Sequence, residues 1–219
     1  LFAYFKNNGE DGLHLAYSHD GLKWKALNED KPYLTPAVGG VKLMREPCVI
    51  QGPDGVFHMV WTTGWRGREI GVAHSKDLIR WSEQKAVPVM ADEPAAMNCW
   101  APEIFYDDQK KQYLIFWATT IPGRFPATES SGDSGGDNNW NHRIYYVTTK
   151  DFTSYSKAAL LYDGGFNVID ATIVKSVGRY VMILKDETRN PVKKNLRIAV
   201  SAKATGPYGA ASPPFSPDW

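Results

Sequence analysis

Four segments of the chain end alike: LAYSHDGLKW (15–24), VAHSKDLIRW (72–81), YVTTKDFTSY (146–155) and, more weakly, AVSAKATGPY (199–208). Each reads as an alternating strand, a turn, and an aromatic that opens another strand. In the first three the turn is Ser/Thr-x-Asp, whose short side chains hydrogen-bond the backbone just ahead of them. Upstream of each lies a continuous apolar run, LFAYF, VFHMVW, QYLIFWATT and RYVMIL, the pattern of a strand covered on both faces. Three of these runs follow a further short strand: EPCVIQ, APEIFY and DATIVK. The unit is therefore four strands in about 50 residues, and repeats of that size and content indicate an all-β fold of β-propeller blades. A β-sandwich with chance similarity among its strands is the alternative.

The bulk properties narrow the function classes. A chain of 219 residues fits one large domain or two small ones. The formal net charge is +1 with basic residues scattered, which argues against nucleic acid or an anionic membrane as partner. No apolar run approaches the roughly 20 residues of a spanning helix. Cys48 and Cys99 lack metal-site spacing and read as two small buried thiols, with a disulfide as the alternative if the protein is exported. With 8 Trp, 11 Tyr and 9 Phe, the chain is rich in flat faces that suit sugar rings as well as cores. It opens directly on the strand-like LFAYF, without an initiator Met or signal peptide, so its start reads as processed, trimmed or incomplete.

Aligning the units places Glu46, Ala101 and Asp170 at one equivalent position, the entrance of each unit's first strand. First strands line the central channel of a propeller, so these entrances converge at one face. Side chains alternate along a strand, which puts Glu103 on the same side as position 101, two residues deeper. Clustered carboxylates perturb one another's proton affinity and mark candidate functional sites. A salt bridge across the channel to Arg45 is the alternative use of Glu103. The same topology brings the loops after the second strands to this face: 6–12, 62–68, 120–142 and 185–195. Trp65, Trp140, Arg124, His142, Lys185 and Asp186 thereby become candidate ligand contacts, the two tryptophans foremost.

LMREPCVIQGPDGVFHMVW, CWAPEIFYDDQKKQYLIFW and NVIDATIVKSVGRYVMILKDE resemble the first three blades of glycoside hydrolase family 43. LFAYF…LKW resembles the stretch that completes its five-bladed propeller. The resemblance covers essentially all of 1–219, which is expected to be a single β-propeller catalytic domain whose C-terminal part is absent. It implies an inverting glycosidase acting on arabinose-, xylose- or sometimes galactose-containing plant polysaccharides and oligosaccharides, an α-L-arabinofuranosidase or β-xylosidase above all. The family's general base maps onto Glu46, and the Asp that tunes and orients the acid maps onto Asp170. The site-shaping Trp-Ala-Pro-x motif maps onto Trp100 and Glu103. Glu46 departs from the family's usual Asp, and the general acid, a Glu opening the fourth blade, is expected just beyond Trp219. A carbohydrate-binding propeller without catalysis therefore stays open as the alternative. No cofactor is expected; some relatives carry a metal such as calcium at the channel centre, but no ligand set here calls for one. A carbohydrate is the expected partner, with a second copy or a missing segment completing the propeller. Polysaccharide substrates imply secretion or a periplasmic location.

Overall fold

A computed structural model describes residues 1–131 and 140–218. Among them, strands form four antiparallel sheets. The first holds β1 (Phe2–Tyr4), β2 (His14–Tyr17) and β3 (Lys25–Ala26). The second holds β4 (Arg45–Gln51), β5 (Phe57–Thr62), β6 (Ile70–Ser75) and β7 (Lys85–Val87). The third holds β8 (Trp100–Asp107), β9 (Gln112–Thr120), β10 (His142–Thr149) and β11 (Ala159–Tyr162). The fourth holds β12 (Val168–Ser176), β13 (Arg179–Asp186) and β14 (Asn195–Ser201). Consecutive strands pair within each sheet, and β1 packs on β4, β4 on β8 and β8 on β12. The sheets are thus blades arranged about an axis.

The apolar runs of β5 and β9 are buried on both faces because the second and third sheets each lie between two others. The runs LFAYF and RYVMIL depart from that expectation: β1 leaves Phe2 exposed and β13 buries alternate residues, because the first and fourth sheets each pack on one neighbour among the described residues. In β9, Tyr113, Ile115 and Trp117 enter the core shared with the second sheet. The alternate residues Leu114, Phe116 and Ala118 enter the core shared with the fourth. β5 divides likewise, Val60 facing one core and Met59 and Trp61 the other. Each such large side chain contributes about 1.5–3 kcal/mol on burial, so these period-2 strands hold adjacent blades together. Gly71 lies opposite Trp61 in the register, and a Cβ there would stand 1.9 Å from the indole ring.

The repeated turn has one structure in three blades. The hydroxyls of Ser18, Ser75 and Thr149 each accept two backbone N–H groups, those of residues two and three ahead. Asp20, Asp77 and Asp151 each accept the next pair. The closing aromatic returns a hydrogen bond to the turn, Trp24 Nε1 to Gly21 O, Trp81 Nε1 to Leu78 O and Tyr155 Oη to Phe152 O. The fourth segment, which lacks the Asp, keeps the Ser201 cap and a Tyr208 Oη bond to Ala204 O.

Four strands per unit is met in the second and third sheets. The first sheet consists of the equivalents of second to fourth strands. Beside β14 in the fourth sheet, Gly209, Ser212 and Phe215 donate their N–H groups to Val200, Ile198 and Leu196, so this segment occupies the outer position without being a regular strand. Cys48 and Cys99 are free thiols.

Candidate active site

The first strands of three blades break their ladders at the same point. Register shifts fall between Arg45 and Cys48, Trp100 and Glu103, and Ile169 and Thr172. Inside each bulge a non-glycine residue takes left-handed backbone angles: Glu46 at φ 46°, Ala101 at 45° and Asp170 at 51°. Such a residue costs about 1–2 kcal/mol, and strained bulges recur where a side chain is re-aimed at a site. The three positions equated from the sequence are therefore one structural feature repeated around the axis.

Glu46 and Asp170 face a common cavity of about 490 Å³. Trp65, Trp100 and Trp140 wall it, joined by Thr62, Arg45, Arg66, Ile169, Glu187 and Arg189. The tryptophans touch in series, Trp65 edge-on to Trp100 with centroids 5.6 Å apart and Trp100 tilted against Trp140 at 4.5 Å. The Trp100 indole N–H donates to the Trp65 carbonyl at 3.0 Å. Asn8, from the first sheet's loop, ties the rim by accepting from Arg45 Nη1 and Trp65 Nε1, both at 3.0 Å. Arg45 also lies over the Trp65 ring at 4.3 Å. Although Trp65 is 50% exposed, its ring is held from two sides.

Burial raises the proton affinity of Glu46, and Asp170's like charge adds to it; a hydrogen bond from Thr62 and the nearby Arg45 offset this in part. Thr62 also accepts the Ala101 N–H at 2.8 Å, joining two of the three bulges. Asp170 is likewise raised by burial, with Glu187 adding and Lys185 opposing. Its side chain is 48% exposed, yet it stands within a concave face where protein displaces much of the surrounding water. Water reaches it while its charge is poorly screened. Two carboxylates of raised proton affinity beside aromatic walls can activate water and influence a proton donor opposite.

The other sequence-predicted residues divide. Trp65, Trp100 and Trp140 line the cavity with Glu46 and Asp170. Glu103 does not; it borders a second space of about 350 Å³, together with Cys48, Ala101 and Pro102, which Glu46 also touches. Burial raises it, Thr172 hydrogen-bonds it, and Asp170 repels it. Arg45 pairs with Glu46 at 3.2 Å rather than bridging the channel to Glu103. His142 is 1% exposed and stands behind the wall, 5.4 Å from Trp140 and 4.7 Å from Trp100. Its backbone N–H and Nδ1 both meet Asn167 Oδ1, and burial lowers its pKa to about 3, so it is a neutral support. Lys185 sits behind Asp170, 3.6 Å from its carboxylate. Arg124 is bound by both oxygens of Glu93, and Asp186 by Arg197, so neither faces the cavity. Residues 132–139 of the long loop lie outside the described residues. Glu187, which follows β13 and lines the cavity, is not among the residues singled out from the sequence. Among the described residues no three His, Cys, Asp or Glu side chains gather as metal ligands.

Comparison with known proteins decides the family. A family model described as "Probable glycosyl hydrolase domain", of the glycoside hydrolase family 43-related type, matches residues 1–208. The chain belongs to this family. Over 91% of its length this family 43-type domain is 25% identical to an α-L-arabinofuranosidase of Bifidobacterium longum subsp. longum, covering 21% of that protein. An exo-β-1,3-galactanase of Clostridium thermocellum matches 95% of the chain at TM-score 0.68 and 15% identity, with 44% of its own length covered. The galactose complex of a Phanerochaete chrysosporium exo-β-1,3-galactanase matches 96% at TM-score 0.66 and 17% identity, with 45% covered. The chain thus spans about a fifth of the curated relative and under half of these structures. Its four sheets are blades of the five-bladed propeller these enzymes share.

Proposed function

We propose that this domain is part of the catalytic propeller of an inverting, exo-acting glycosidase that removes terminal arabinofuranosyl or xylosyl residues from plant polysaccharides or oligosaccharides. The observation that carries the reading is the meeting of Glu46 and Asp170, on matching bulges of different blades, in one tryptophan-walled cavity. Glu46 is the general base that takes a proton from the attacking water. Asp170 tunes and orients the general acid; inversion needs acid and base about 6.5–9.5 Å apart to admit the water. The tryptophan faces stack on the sugar, and Glu187, held by Lys185, Arg189 and Lys194, is too tightly paired to serve as the acid. The arabinofuranosidase relative supports a pentose, while the galactanase neighbours make a galactoside the first comparison. Polysaccharide substrates support a location outside the cytoplasm.

Glu46 favours a second reading, a propeller that binds carbohydrate without cleaving it. Its carboxylate reaches one methylene further than the Asp of the family, and an Å-scale misplacement can cost about 100-fold in rate. The test is turnover of aryl α-L-arabinofuranoside, aryl β-xyloside and β-1,3-galactobiose by the full-length protein, with proton NMR of the first product anomer. The proposal expects a pentoside to be cleaved with inversion. Sugar binding without turnover of any substrate selects the second reading.

A further inference from the structure

β13 ends in Lys185-Asp186, and Glu187 follows it with its carboxylate against the Lys185 ammonium. Lys185 pairs in register with Ile169, directly before the bulge that carries Asp170. Its ammonium lies 3.0 Å from Glu187 Oε2 and 3.6 Å from Asp170 Oδ2. The two carboxylates are held very differently. Glu187 has a side chain only 7% exposed, and its carboxylate also meets Arg189 at 3.1 Å and Lys194 at 3.5 Å. Its backbone N–H donates to Asn167 O at 2.7 Å, and its carbonyl accepts from Asn167 Nδ2 at 3.2 Å. Asp170 is half exposed and faces the cavity. The other charges around Asp170 are Glu46 and Arg45 from β4, Glu103 from β8, and Arg66 and Arg189 from the loops that line the same cavity, with Lys194 beyond Glu187.

We propose that Glu187 is a positioning residue for Asp170, holding the Lys185 ammonium against the wall so that it does not close onto Asp170. Asp170 then shares a cation rather than owning one, and its carboxylate stays available to the cavity. The kinetic consequence rests on the role proposed for Asp170 above; the electrostatic one does not.

Two substitutions move Asp170 in opposite directions. Lys185→Met removes the cation and leaves burial and the like charge of Glu187, so Asp170 should titrate higher. Glu187→Gln removes the like charge and releases Lys185 toward Asp170, so it should titrate lower. A displacement of about one pH unit each way, tenfold in proton affinity, is expected. A cluster that only braces the fold would leave the midpoint unchanged or move it the same way in both variants.

The experiment is a carbon-13 NMR titration of the side-chain carboxyls, with the Asp170 resonance assigned by its loss in Asp170→Asn. Opposed displacements support the proposal. No shift, or an upward shift, in Glu187→Gln overturns it, as does an unshifted midpoint in Lys185→Met. Should Glu187→Gln fail to fold, Glu187→Asp keeps the charge and loses the reach. A downward shift is still expected there, and an upward or absent one overturns the proposal. The acid limb of kcat/KM in the full-length enzyme should follow the same two directions. Opposed NMR displacements in a protein without turnover would uphold the positioning role while rejecting the glycosidase reading.

Discussion

Thr62→Val removes one hydroxyl and almost no volume, and it tests how the two joined bulges are held. Thr62 is 1% exposed, accepts the Ala101 N–H at 2.8 Å and hydrogen-bonds the Glu46 carboxylate. Losing the first bond leaves a backbone donor unmatched, at about 1–3 kcal/mol. Losing the second costs less than the usual 1.5–3 kcal/mol for a charged partner, because Glu46 is about a third exposed and water can substitute. The sum is a destabilisation of about 2–3 kcal/mol, or roughly 5–10 °C in Tm for a domain of this size. Linkage adds a sign. Without the Thr62 bond, which opposes burial, the folded-state proton affinity of Glu46 rises further. The folded state then binds protons more tightly than the unfolded chain, so the deficit widens as pH rises above the ordinary value of 4.5. Urea unfolding at pH 4 and pH 7 reads both effects. A deficit under about 0.5 kcal/mol, or one larger at pH 4, would refute this account of the bulges.

Other perturbations are as definite. Gly71→Ala drives a methyl into the Trp61 ring and should cost at least about 1–3 kcal/mol; unchanged stability in urea would mean that the indole moves freely. Burial and Asp170's charge raise Glu103, so Glu103→Gln should stabilise the protein relative to wild type increasingly as pH rises from 4.5, read from paired Tm profiles; a gain confined to acid pH would contradict this. Asp151 is lowered to about 2 by the backbone N–H groups of Ser154 and Thr153. Its contribution is complete above 3.8 and lost as pH falls toward 2, so the Tm deficit of Asp151→Ala should vanish in acid, whereas a deficit independent of pH would point to lost packing instead.

Most of the architecture was legible because it is periodic. Alternation tells which runs are strands, continuous apolar runs mark those covered twice in β5 and β9 but not in β1 and β13, and the Ser/Thr-x-Asp turn sets the phase of three blades. The equivalence of Glu46, Ala101 and Asp170 followed from that phase, and the shared left-handed angles are its structural counterpart. What stayed hidden depends on contacts between distant segments. Asn8 clamping Arg45 and Trp65 joins residues 37 and 57 positions apart, for which no local pattern exists. His142 and Lys185, expected as ligand contacts, stand near the cavity without lining it, because a loop or strand end does not reveal whether a side chain stands before or behind a wall. Glu103 shows the same limit: alternation gave its side of the strand, whereas the adjoining bulge set its depth and turned it to the second space.

The most direct test of the central claim is kcat for Asp170→Asn in the full-length protein, on whichever glycoside the wild type cleaves, with sugar affinity measured in parallel. The account predicts turnover reduced at least about 100-fold, the lower range of general acid–base contributions, with binding to the tryptophan-walled cavity retained. Turnover equal to wild type would remove Asp170 from the chemistry and contradict the assignment of this cavity as the active site.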